Sequence, residues 1–120
     1  PAIEHGVKPD DARTHAAELL KRLRIPDSLL HLSPLTFSGG EQQRVNIARA
    51  MAAPRPLMLF DEPTASLDPG NRATVLEMIT HLRDSGTAVL GIFHDPADRQ
   101  ALGARDIDMA TCNREEAAHA

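Results

Sequence analysis

Four short strings hold the side chains best placed to do chemistry. In Ser38-Gly39-Gly40-Glu41, two glycines follow a serine at the start of an apolar-periodic stretch. Glycine lets an anion approach the backbone, and the free N–H groups of a helix start favour negative charge. The same residues fit a plain capping box, with Ser38 as N-cap and Glu41 three residues on. Asp61-Glu62 closes a short apolar run, Leu57-Met58-Leu59-Phe60. An isolated acidic pair there reads equally well as a strand end entering a turn. Asp68 stands before Pro69 and reads first as a helix cap. His94 closes a second apolar run, Ala88–Phe93, where a lone histidine is more often structural.

The elements that must position these residues follow from periodicity and punctuation. Pro9-Asp10-Asp11 starts a helix, with two carboxylates at the positive end of its dipole. Ala12, Ala16, Leu19, Leu20 and Leu23 line one face of it, and Pro26 is expected to end it. Residues 26–37 hold a turn of helix and a loop. A second helix is expected from Gly39 to Ala52, stopped by Pro54 and Pro56. Residues 57–60 read as a buried parallel strand. Asp68-Pro69 opens a third helix with Val75, Leu76, Ile79 and Leu82 as its buried stripe and Gly86 as its C-terminal cap. A strand over 88–93 and a short helix over 96–104 complete the order, and residues 110–120 read as a disordered tail. Strand, helix, strand is a βαβ unit, and ligands on such sheets sit at the carboxyl ends of the strands. Those ends carry Asp61-Glu62 and His94-Asp95.

Composition narrows the classes. The 120 residues are 42% apolar and 25% charged, ordinary for a globular domain able to bury a core. A net charge of −4 gives no electrostatic footprint for nucleic acid. The longest apolar runs are far too short to span a bilayer. One cysteine, Cys112, excludes an internal disulfide framework and makes an intracellular location the default. His5, His15, His31, His81 and His119 show no metal-ligand spacing.

Taken together and in order, the strings resemble the ABC-type ATPases. Leu35-Thr36-Phe37-Ser38-Gly39-Gly40-Glu41-Gln42-Gln43-Arg44 resembles their signature motif. The resemblance implies that Ser38 and the N–H groups of Gly39 and Gly40 meet the γ-phosphate of an ATP held by an opposite subunit, with Glu41, Gln42 and Asp68 also in the ATP-binding set. Leu57–Asp61 followed by Glu62 resembles the Walker B motif and its catalytic glutamate, which implies Asp61 as Mg²⁺ ligand and Glu62 as general base. Ala65-Ser66-Leu67-Asp68 resembles the D-loop, and His94 resembles the switch histidine that reaches the γ-phosphate. The implied fold is α/β, the C-terminal half of a P-loop NTPase domain: a helical subdomain (1–54), part of the ATP-binding core (55–109) and a tail (110–120). No Gly-x-x-x-x-Gly-Lys-Ser/Thr string occurs, the only lysines being Lys8 and Lys21. With Pro1 in place of a methionine, this leads us to expect a piece of a longer ATPase that is inactive alone.

Gln43–Ala50 with its Val45-Asn46-Ile47, Gly91-Ile92-Phe93-His94-Asp95 and Glu62–Asp68 together further resemble the L component of the bacterial carbon–phosphorus lyase system, which breaks down phosphonates. That resemblance implies lyase components as partners, ATP and Mg²⁺ as cofactors, a dimer across the signature motif and a cytoplasmic location. The alternative is the ATPase subunit of a membrane transporter, with a permease as partner and a position peripheral to the inner membrane. A chromosome-maintenance ABC protein would need a sustained coiled coil before Ser38, and Pro9, Pro26 and Pro34 interrupt that stretch. A non-catalytic interaction module is the remaining class.

Overall fold

The computed structural model describes residues 6–112. Helix α1 spans Pro9–Arg22, α2 Gly39–Met51, strand β1 Leu57–Asp61, helix α3 Pro69–Asp84, strand β2 Ala88–Ile92 and helix α4 Pro96–Ala101. Short 3-10 turns at Asp27–Leu29 and Pro34–Thr36 occupy the segment between α1 and α2. The two strands pair in parallel with Leu57 beside Ala88 and Asp61 beside Ile92, joined by α3 as their crossover. Parallel pairing demands such a crossover, since a hairpin turn can only reverse the chain.

Each helix begins and ends for a local reason. Pro9 stands in the first turn of α1 with Asp10 and Asp11. The expectation that Pro26 ends α1 needs correcting, because the helix stops at Arg22. The Ile25 N–H donates to the Leu20 carbonyl and the Arg24 N–H to Lys21, a Schellman closure with Arg24 at φ +53°. Gly86 closes α3 in the same way at φ +98°, through Thr87 N–H to Leu82 and Gly86 N–H to Arg83. Helix α4 is shorter than the expected 96–104, because Gly103 at φ +58° ends it with a third such closure. The expected disordered tail over 110–120 begins as helix, residues 109–112 being helical, and its remainder lies outside the described residues.

One core joins the layers. Leu19, Leu23 and Ile25 from the α1 region meet Ile47, Ala48 and Met51 of α2, Met58 and Phe60 of β1, and Val75, Met78, Ile79 and Leu82 of α3. Ala16, Leu20 and Leu76, expected in the buried stripes, are only half-buried. A larger correction concerns the 57–60 strand, for which the expectation is a buried one. Along β1, Met58 and Phe60 face α3 and the core, whereas Leu57 (54% exposed) and Leu59 (69%) face outward. Leu90 (53%) and Ile92 (62%) of β2 share that open side. A sheet covered by helices on one side only leaves the alternate residues in solvent.

Truncating Leu23, a fully buried member of the core just past the end of α1, is expected to cost about 2–5 kcal/mol, whereas Leu59→Ser on the open face should change stability by less than ~0.5 kcal/mol. Urea denaturation of the two variants checks this, and equal losses would place the core elsewhere. A second expectation concerns acid. Backbone N–H donation from Asn71 holds the Asp68 carboxyl below its ordinary value of 3.8, and the Ala97 N–H followed by Arg72 does the same for Asp95. As pH falls, the unfolded chain protonates these groups first. Their contribution is therefore complete above about pH 4 and disappears as pH drops through the depressed folded values. The denaturation midpoint should fall as pH drops below about 4, and fall less in the Asp68→Asn, Asp95→Asn double variant. An identical acid limb in that variant counts against the assignment.

Candidate functional site

The α2 N-terminus forms because Ser38 can cap it on both sides. Ser38 Oγ accepts from the Glu41 N–H at 3.2 Å, and the Ser38 N–H donates to Glu41 Oε2 at 2.8 Å. The plain capping-box reading is therefore physically present, yet it leaves the Gly39 and Gly40 N–H groups without intrahelical acceptors. A Cβ built on Gly39 would meet nothing within 4 Å, so the helix start is open to an approaching group. Gly40 is more crowded: its Cβ would stand 3.6 Å from the Ser66 carbonyl oxygen, and Ser66 lies in the D-loop-like string at φ +60°. Gln42 reaches back to the Phe37 carbonyl.

At the other pole of the site, the parallel register sets the geometry. Asp61 is paired with Ile92, and the Glu62 N–H donates to the Ile92 carbonyl at 2.9 Å. His94 follows Ile92 by two residues, so Asp61, Glu62 and His94 all leave the same end of the sheet, and all three are exposed. Glu62 itself has φ +45°, which L-residues rarely adopt. Asp68 closes this loop as the α3 cap, accepting from the Asn71 N–H at 3.0 Å and from its side-chain amide.

Two connections hold the segments in place, and neither is visible as a local pattern. Gln43 Nε2, on α2, donates to the carbonyls of Glu62 (3.0 Å) and Pro63 (2.8 Å). On the far side of the loop, the Thr64 hydroxyl donates to Asp98 Oδ2 at 2.5 Å, and Arg72 Nε donates to Asp98 Oδ1 at 2.7 Å. Asp98 is buried, and Arg72 also pairs with Asp95 next to His94. Hydrogen bonds to Asp95 and then Asp98 push the Arg72 pKa up, so these two carboxylates hold the guanidinium charged. Arg99 completes the brace by donating to the Phe93 carbonyl. In the sequence, Asp98 reads as an ordinary first-turn acid, and nothing announces a pairing with Thr64 across 34 positions.

The donor set also says what kind of ion could sit here. Among the described residues no group of three His, Cys, Asp or Glu side chains could hold a metal ion. Asp61 alone fits Mg²⁺ only in the mode where phosphates and water supply most ligands. Among the described residues, no helix is long and apolar enough to cross a membrane.

Comparison with known proteins fits this arrangement. Residues 3–65 match a family profile described as ABC transporter. The arginine transport ATP-binding protein ArtP of Haemophilus influenzae is 41% identical over 91% of this chain and 44% of its own length. The macrolide export ATP-binding/permease protein MacB of Nitrosomonas europaea is 43% identical over 79% of the chain, but 14% of its own length. The chain thus spans less than half the length of either protein. A dimeric ABC transporter cassette, MJ0796, superposes with a TM-score of 0.69 at 31% identity, covering 80% of this chain and 42% of that one. A second structure of MJ0796 describes a post-hydrolysis dimer bound to ADP and Pi, with the same similarity. With the profile covering more than half of its residues, and with the strand, loop and helix order of an ATP-binding cassette, this chain belongs to the ABC transporter family of ATPase domains.

Proposed function

We propose that these residues form the signature-to-switch half of the ATP-hydrolysing subunit of an ABC transporter. The observation that carries the reading is the register of β1 and β2, which brings Asp61, Glu62 and His94 to one end of the sheet. ATP would supply the phosphoryl group, and a bound Mg²⁺ would offset the charge that develops on it. Asp61 is the residue suited to the Mg²⁺ shell. Glu62 accepts the proton of the attacking water, and His94 hydrogen-bonds the γ-phosphate and holds that water. The N–H groups of Gly39 and Gly40, with Ser38, donate to phosphate oxygens of a nucleotide on a facing subunit. Glu41 fixes Ser38, while Gln42 and Asp68 hold the edges of that surface.

Support for transport comes from what the relatives do: arginine transport for ArtP and macrolide export for MacB. The phosphonate reading rests on the wording of a handful of short strings, and these relatives favour the transporter alternative. The partners proposed are therefore a second cassette, as in the dimeric MJ0796 structure, and a membrane permease that holds the chain at the inner face of the membrane. Lyase subunits, recovered in place of a permease from a pull-down on phosphonate-grown cells, would reverse that choice.

Turnover is testable in a cassette that joins these residues to a phosphate-gripping loop. Glu62→Gln should lower kcat by at least ~100-fold while ATP binding persists, since an amide keeps the shape and loses the base. Ser38→Arg should remove turnover by blocking closure of the facing subunits. Undiminished hydrolysis in the Ser38→Arg homodimer would mean that α2 is a capped helix and nothing more. The 120 residues alone should leave ATP intact, because no lysine-bearing phosphate loop lies among them.

A further inference from the structure

The peptide of Glu62 is held on three sides. Its N–H donates to β2 through the Ile92 carbonyl at 2.9 Å. Its carbonyl accepts from the Ala65 N–H at 3.1 Å, within the loop, and from Gln43 Nε2 at 3.0 Å. The same Gln43 nitrogen donates to the Pro63 carbonyl at 2.8 Å. All of this surrounds a residue at φ +45°, a conformation that persists only where its surroundings over-determine it. Two of the holding contacts belong to the sheet and its turn. The third comes from α2, one turn beyond Gly39 and Gly40, and uses both amide protons of a single side chain.

We propose that Gln43 is a positioning residue for Glu62: its carboxamide locks the left-handed peptide that aims the Glu62 carboxylate, so it governs turnover without touching the nucleotide. A backbone φ sets the direction in which the side chain leaves the chain, and release of this peptide lets Glu62 relax to negative φ and turn away. The neighbouring amide protons are the only feature of Gln43 that this role needs. Its apolar stem could be replaced at equal volume. The proposal rests on Glu62 acting as the base, as argued under the function.

The test uses an active cassette containing these residues. Gln43→Met keeps the volume and removes both donors. Its kcat should fall about tenfold with the KM for ATP within about twofold, the signature of a misaimed group in a site that still binds substrate. Gln43→Lys, which restores donors of similar reach, should recover most of that loss. Amide exchange of Ala65, whose N–H shares the Glu62 carbonyl, should quicken in the Met variant and slow again in the Lys variant. Parental kcat in Gln43→Met overturns the proposal, as does a loss that falls equally on kcat and ATP affinity, or one that Gln43→Lys leaves unrepaired. Glu62→Gln in the same cassette separates the two ideas. If that variant keeps turnover, the base assignment itself has failed; if it loses turnover while Gln43→Met does not, only the positioning role has.

Discussion

The parallel pairing of β1 with β2 is the constraint from which the rest of this structure follows. Two parallel strands cannot meet through a turn, so a helix must carry the chain back along the sheet. The sixteen residues of α3 do this, and their buried stripe of Val75, Met78, Ile79 and Leu82 is what the sheet packs upon. Because the strands run the same way, their carboxyl ends coincide. Chemistry-bearing residues 61–62 and 94, more than thirty positions apart in the chain, thereby become neighbours. An antiparallel arrangement of the same strands would have put them at opposite ends.

The sheet is written for cover on both sides. Residues 58 and 60 are apolar and meet α3; residues 57, 59, 90 and 92 are equally apolar and face outward. Strands with apolar residues on both faces are characteristic of parallel sheets sandwiched between helices. Asp61 continues the outward series 57, 59, 61, so the proposed Mg²⁺ ligand belongs to the open face and not to the packed one. That placement suits a residue whose partners arrive from outside these elements, in a chain that spans 44% of the length of ArtP.

Much of this was legible in the sequence, for reasons that can be named. Proline and Asp at 68–69, the capping box at 38–41 and Gly86 each act within a few residues, and the helices begin and end where such local chemistry dictates. The two apolar runs announced the strands, and the residue types at their ends mark the candidate site that the parallel register gathers at one end of the sheet. What stayed hidden is non-local. An apolar run reads as buried whether one face or two is covered, because sequence records only the demand for cover. The end of α1 differs from the expected stop at Pro26 because Arg24 takes the left-handed position usually given to glycine, two residues after the helix ends. Gln43 and Asp98 look like surface residues of amphipathic helices until the fold brings loop carbonyls to the first and a guanidinium partner to the second.

Among the described residues, the three non-glycine residues at positive φ explain one another when each is asked why glycine would not serve. Left-handed backbone costs an L-residue roughly 1–2 kcal/mol, which glycine would avoid. At Arg24 the guanidinium lies against Gly70, so closely that a Cβ there would overlap it, and its charge contributes to holding Asp68 ionised. The side chain that creates the strain thus ties the end of α1 to the start of α3. At Ser66 the carbonyl turns toward Gly40, bringing the D-loop-like segment against the start of α2. At Glu62 a glycine would relieve the backbone and delete the carboxylate proposed to do the chemistry. All three strained residues therefore lie at joints between the α1–α2 layer and the sheet layer, or at the carboxylate itself. Their cost is offset by hydrogen bonds worth about 0.5–1.5 kcal/mol each. Glu62 has three of these, more than enough to hold one unfavourable dihedral, and two of the three come from elements that meet only in the folded chain. The strain at Glu62 is thus tolerable only when α2, the loop and β2 are assembled together, which makes the aim of that carboxylate a property of the whole fold.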